Sequence, residues 1–150
     1  MKENEPPKEQ QITVFLGCVI KDGKVLMIQR NEEECPEAHL KWELPGGKVN
    51  FDETPQKSVE RELYEETGVK VKVNNLLPNV QVNYWEYPCG RQQTLVFCFV
   101  CEFMEENPVD KDHQVGKITW VPLEKVEKLE TLPGIKNFIK LYQEIEIDYG

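Results

Sequence analysis

Between Thr54 and Gly68 the chain carries the start and stop signals of a single helix, and strand-like segments flank it on both sides. Thr54 is suited to the N-cap, Pro55 to the first helical position, and Gly68 to the residue after the last turn. Upstream, residues 12–20 predict a strand, which Asp22-Gly23 turns into a second strand over 24–29. A charged loop over 31–41 leads to a short extended piece at 42–44, and Pro45-Gly46-Gly47 breaks the chain. Downstream, strands are expected over 69–77, 80–87, 92–103 and 117–121, with a short helix over 123–129. Ile135, Phe138, Ile139, Tyr142 and Ile145 recur at helical spacing within 133–145, a stripe that packs most simply on a sheet. A helix bounded by such strands constrains the chain to a mixed sheet with helices packed on it. Residues 1–10 are expected to be a disordered tail, and 11–150 one domain.

Helix 54–67 also breaks a local rule. Val59 and Leu63 lie within about 40° of each other and predict its buried stripe, while Glu62, Glu65 and Glu66 share an arc of about 100° beside it. Glu62 and Glu66 stand at the repulsive i,i+4 spacing, and all three acids occupy the C-terminal half, where the helix dipole disfavours negative charge by ~0.3–1 kcal/mol each. A hard divalent cation would relieve this crowding. Taken alone, the helix reads equally as a cation site or as a solvated acidic face. Neighbouring residues favour the site. Gly46-Gly47 lets backbone approach a ligand closely, and a Glu53–Arg61 pair would fix the preceding loop against the helix.

Composition narrows the function classes. The 150 residues include 27 Asp+Glu against 18 Lys+Arg, a net charge of −9, with no basic patch for a nucleic-acid polymer. A phosphate-bearing small molecule would need a cation between itself and so acidic a protein. No apolar run is long enough to span a bilayer, and the polar start Met1-Lys2-Glu3-Asn4-Glu5-Pro6-Pro7-Lys8 resembles neither a signal nor a transit peptide, which predicts a cytoplasmic protein. The five cysteines show no disulfide framework. Cys98 and Cys101 form a C-x-x-C, but on a strand they would point to opposite faces, so core packing is the simpler reading.

The spacing from the glycines through the helix is specific. Gly47, five residues, Glu53, seven residues, then Arg61-Glu62-Leu63-Tyr64-Glu65-Glu66-Thr67-Gly68-Val69 matches the Nudix box, G-x5-E-x7-R-E-U-x-E-E-x-G-U with U aliphatic, at every defined position. A chance match at a given start is roughly below one in a million from ordinary residue usage. The flanking segments 24–30, 41–49 and 118–123 also resemble this family, so the likeness runs over about residues 12–142.

The resemblance implies an α/β fold, an α/β/α sandwich around a mixed sheet, and Mg²⁺-dependent hydrolysis of a nucleoside diphosphate linked to another moiety, with Mn²⁺ able to substitute. By that likeness Glu65 and Glu66 are the principal metal ligands, with Glu62 and the Gly47 carbonyl nearby. Glu53 and Arg61 complete the catalytic set as an orienting pair, or with Glu53 on a metal-bound water, and Arg30 and Gly46 lie toward substrate. The implied partner is a small nucleotide rather than a polymer or a membrane, bound by a monomer or homodimer.

Subgroup marks are mixed. Many relatives carry a glutamate six residues before the late tryptophan; counted back from Trp120, Gln114 stands there, with Asp110, Asp112 and His113 as neighbouring candidates. His113 and His39 are most simply solvated loop residues. Where the ADP-ribose subgroup has a proline, about sixteen residues past the box, this chain has Trp85, flanked by Tyr84 and Tyr87. Tyr84 and Trp85 are candidate stacking residues for a base. The preferred expectation is a MutT-like nucleoside triphosphate pyrophosphohydrolase releasing a monophosphate and pyrophosphate. Hydrolysis of a dinucleoside polyphosphate, ADP-ribose or a nucleotide sugar is the alternative, and a nucleotide sensor without chemistry is a reading of a different class.

Overall fold

The computed structural model describes residues 8–108 and 115–149, with side chains to residue 145. Eight strands form one mixed sheet: β1 (Lys8–Lys21), β2 (Lys24–Arg30), β3 (Trp42–Glu43), β4 (Gly46–Gly47), β5 (Val69–Leu76), β6 (Gln81–Tyr87), β7 (Gly90–Glu106) and β8 (Val115–Pro122). Two helices, α1 (Pro55–Thr67) and α2 (Ile135–Tyr149), complete the fold, with a 3₁₀ turn at Leu123–Lys128. The main path runs β3-β2-β1-β7-β5. Among the described residues β1 and β7 form the one parallel ladder, from Lys8 opposite Gly90 to Val19 opposite Cys101, beside an isolated parallel bridge of Trp42 with Thr131; the other ladders are antiparallel.

Alternation along the two central strands divides the core. Leu16 and Cys18 of β1, with Val96 and Cys98 of β7, face Phe138, Ile139 and Tyr142 of α2. Val19, Phe99 and Cys101 face Val59 and Leu63 of α1 on the other side. The result is the α/β/α sandwich expected. The two cysteines of the C-x-x-C lie in opposite cores, each buried and burial holding each thiol's pKa up, in the case of Cys101 to about 12. They form no redox or metal pair.

Helix α1 has the termini its sequence predicts. Thr54 Oγ1 accepts from the Lys57 amide at 3.2 Å, and Gly68, at φ 78°, donates its N–H to the Tyr64 carbonyl. Several boundaries shift by a few residues, β7 running from Gly90 to Glu106 and α2 from Ile135 to Tyr149, and residues 8–10 of the expected disordered tail belong to a strand. The first strand begins at Lys8 rather than residue 12, because Lys8–Gln11 are held by pairing with Gly90–Gln93 and carry no apolar signal of their own. Gly46-Gly47, expected only as a break, is a short strand opposite Phe15 and Leu16. That pairing brings the glycines under α1.

Leu63 is fully buried between α1 and the sheet. Leu63→Ala is expected to cost about 2–5 kcal/mol by the cavity it leaves, read as a lowered urea midpoint with an unchanged circular dichroism spectrum.

Candidate active site

The site is built where α1 crosses β4. Arg61 is its hub. Its Nε and Nη2 donate to both oxygens of Glu53 at 3.0 and 2.6 Å, and Nη1 donates to Glu62 at 3.0 Å and Glu65 at 3.2 Å. The fork ties loop 48–53 to the helix, as the spacing predicted, and holds the Glu53 carboxyl below its ordinary pKa. The same guanidinium offsets the charge crowding on the helix, a compensation the helix pattern alone does not display.

Glu66 takes a different position. It is 8% exposed, and its Oε1 accepts the Gly46 N–H at 3.0 Å. Burial raises its pKa, reinforced by the nearby Glu43 and Glu62 charges. Gly46 can lie this close because it has no side chain: at φ 151° a Cβ would collide with the Phe15 carbonyl and Leu16 backbone. A Cβ on Gly47 would come within 2.9 Å of the Glu62 carboxyl carbon. The glycine pair is thus a cradle against which two carboxylates are pressed.

Glu62, Glu66, Gly46, Gly47 and Lys48 line a cavity of ≈ 330 Å³. The lining also includes the apolar Val14, Leu16, Val96, Leu132 and Ile135, and Trp85 with the polar Asn83, Gln92 and Thr94 around it. Arg30 lines it too, engaged by Glu43 at 2.6 Å and Glu32 at 3.4 Å, while the Tyr87 hydroxyl donates to Glu32 at 2.8 Å.

Most of the expected residues come together. Arg30, Gly46, Gly47, Glu62, Glu66 and Trp85 line the cavity, and Glu53 and Arg61 brace it. Glu65 does not line it; its side chain is 57% exposed and rests on Arg61. Tyr84 is the correction. It is 52% exposed on the opposite face of β6, beneath the Arg91 guanidinium, because successive strand residues alternate and Trp85 takes the inner face. His39 is a loop fastener, its Nδ1 accepting the Glu32 N–H at 3.1 Å. Asp110, Asp112, His113 and Gln114 lie outside the described residues. Glu32, Glu43, Asn83 and Thr94 were not foreseen. Counting by two from Trp85 along the strand would have found Asn83.

The oxygen-only, anionic donor set suits a hard divalent cation, and the like charges that raise the Glu66 pKa are what such an ion offsets. Among the described residues, no three carboxylates already stand close enough to enclose an ion. Arg61 instead occupies Glu62 and Glu65.

The sequence model of the NUDIX domain matches residues 12–142. The chain belongs to the Nudix family. Among relatives in it, a MutT-like protein of Streptomyces ambofaciens is 39% identical over 75 residues, half of this chain and 45% of that protein, so this chain spans less than half that relative's length. The 8-oxo-dGTP diphosphatase of Escherichia coli (strain K12) is 32% identical over 114 residues, 76% of this chain and 82% of that enzyme. A NUDIX hydrolase from Nitrosomonas europaea has the same fold, with a TM-score of 0.72 at 18% identity over 89% of this chain and 88% of that one.

The Glu66 environment has a stability signature. A carboxyl whose pKa is raised on folding adds no penalty while protonated and destabilises as pH rises through the folded value. In chelator, Glu66→Gln is therefore expected to raise Tm by a few degrees at pH 8, and the advantage is expected to vanish toward pH 4 in a thermal melt series.

Proposed function

We propose that this protein is a Mg²⁺-dependent, MutT-like pyrophosphohydrolase that cleaves a nucleoside triphosphate to a monophosphate and pyrophosphate. The observation that carries the reading is the mixed lining of one cavity: the carboxylates of Glu62 and Glu66 against the glycine strand, and Trp85 with apolar side chains in the same wall. That lining matches a ligand with a charged phosphate chain and a flat base. The kinship with an E. coli enzyme named as an 8-oxo-dGTP diphosphatase supports the same choice.

In this reading Glu62, Glu65 and Glu66, with the Gly47 carbonyl, would hold the metal, a set completed when Glu65 exchanges Arg61 for the ion. Bound there, Mg²⁺ would neutralise the phosphate oxygens and lower the pKa of an attacking water. The protein supplies the geometry. Arg61 and Glu53 hold the loop and helix as one rigid unit, and the Gly46 N–H fixes the rotamer of Glu66. Lys48 and Arg30 line the cavity, and in this reading they would meet phosphate. Trp85 offers a face on which a base stacks, worth ~1–3 kcal/mol.

The test is release of phosphate or pyrophosphate from a panel of nucleoside triphosphates, oxidised guanine nucleotides, ADP-ribose, dinucleoside polyphosphates and nucleotide sugars, with Mg²⁺ and with chelator. Metal-dependent pyrophosphate release from a triphosphate is the expected result; binding without turnover on the whole panel would favour a sensor. Glu66→Gln is expected to fold normally and lose activity by orders of magnitude, and near-normal turnover in it would overturn the assignment. Arg61→Lys keeps the charge but loses the fork on Glu53, so kcat is expected to fall about tenfold or more, with KM little changed, because positioning rather than binding is lost.

A further inference from the structure

The cavity contains a polar group that neither the acidic ridge nor the Trp85 ring uses. Asn83, on β6 two residues before Trp85, is 9% exposed and lines the cavity. Its Oδ1 accepts from Gln81 Nε2 at 2.8 Å. The neighbouring hydroxyl is already engaged: Thr94 Oγ1 accepts from Trp85 Nε1 at 3.2 Å and donates to the Asn83 backbone carbonyl at 3.5 Å.

With its carbonyl committed to Gln81, the Asn83 amide turns its NH₂ the other way. No hydrogen bond takes up that NH₂ among the described residues, and none of their buried side-chain nitrogens or oxygens is both sealed and unpartnered. The NH₂ is therefore not sealed. It opens on the cavity it lines. Gln81 in turn is clamped from behind, where a Cβ on Gly134 would come within 2.5 Å of its Cγ, so the backbone leading into α2 leaves the Gln81 side chain little room to swing. The Gln81–Asn83 pair thus presents a hydrogen-bond donor to the cavity.

We infer that Asn83, oriented by Gln81, determines specificity in this cavity by selecting a base with an exocyclic carbonyl oxygen over one with an amino group at that place. The inference rests on the reading of the cavity as a nucleotide site. A carbonyl accepts from the Asn83 NH₂. An amino group sets donor against donor, leaves both unpaired away from water, and is rejected for that reason. Asn83 is the reading residue and Gln81 the positioning residue.

Deoxyinosine and deoxyadenosine nucleotides test this, since their bases differ at the carbonyl-for-amino exchange and its coupled ring proton. Calorimetry with the α,β-methylene triphosphates and Mg²⁺ is expected to show the deoxyinosine compound bound about tenfold tighter or more by the wild type. Asn83→Leu is expected to bring the ratio within about twofold of unity. Gln81→Met, which keeps the bulk beside Gly134 but has no donor, is expected to lower the ratio at least about threefold by freeing the amide to rotate; it decides the matter alone if Asn83→Leu does not fold. Equal binding, a preference for the amino base, a ratio unmoved by either variant, or no binding of either compound overturns the inference. Hydrolysis of the two ordinary triphosphates is measured alongside. Turnover without discrimination leaves the hydrolase standing and removes the role of Asn83, whereas discrimination without turnover does the reverse.

Discussion

Arg61 is the interaction on which the site depends. One guanidinium bonds both oxygens of Glu53 and one oxygen each of Glu62 and Glu65. Without it, three glutamates would crowd the disfavoured end of a helix, and the loop carrying Glu53 would lose its ion-pair tether to that helix. A lysine, with a point charge in place of a planar fork, would balance the charge without fixing the geometry. The chain thus tolerates a concentration of negative charge that a helix chosen for stability alone would avoid.

The second constraint is the contact between Glu66 and the glycine strand. A carboxylate this deeply buried is costly unless something meets it. The Gly46 N–H supplies one partner, and only a residue without a Cβ can bring its backbone so close while packed on Phe15 and Leu16. Helix, loop and β4 therefore form a single piece, braced on one side by Arg61–Glu53 and on the other by Glu66–Gly46. The apolar part of the cavity lining is contributed independently, by the inner faces of β1, β6 and β7 and the corner before α2.

How much could be read beforehand follows from sequence distance. The Glu53–Arg61 pair was legible because its members are eight residues apart across one capped helix start, where local geometry leaves few alternatives. The buried stripe of Val59 and Leu63 was legible from helical period, and the separation of Cys98 from Cys101 from strand period. The inward-facing member of β6 was not. Tyr84 and Trp85 are equally aromatic, and only the register of β6 against β7, with Trp85 opposite Gln92, decides which faces the cavity. The strand character of Lys8–Gln11 was hidden for a similar reason, since its polar residues owe their conformation to a distant partner strand.

The sequence by itself determined the acidic ridge: the spacing of Gly47, Glu53, Arg61, Glu62, Glu65 and Glu66 lies within one turn, one loop and one helix, and short-range geometry converts that spacing into a patch of carboxylates. Tertiary structure alone decided what stands opposite it. The cavity joins Val14, Asn83, Trp85, Val96 and Ile135, residues up to 121 positions apart, through the parallel pairing of β1 with β7 and the seating of α2 on the far face. Whether a residue such as Asn83 offers a donor or an acceptor there depends on contacts from Gln81 and the approach of Gly134. Local periodicity carries none of this information, because long-range pairing sets which chains meet and packing sets which atoms of a side chain are left to face a ligand.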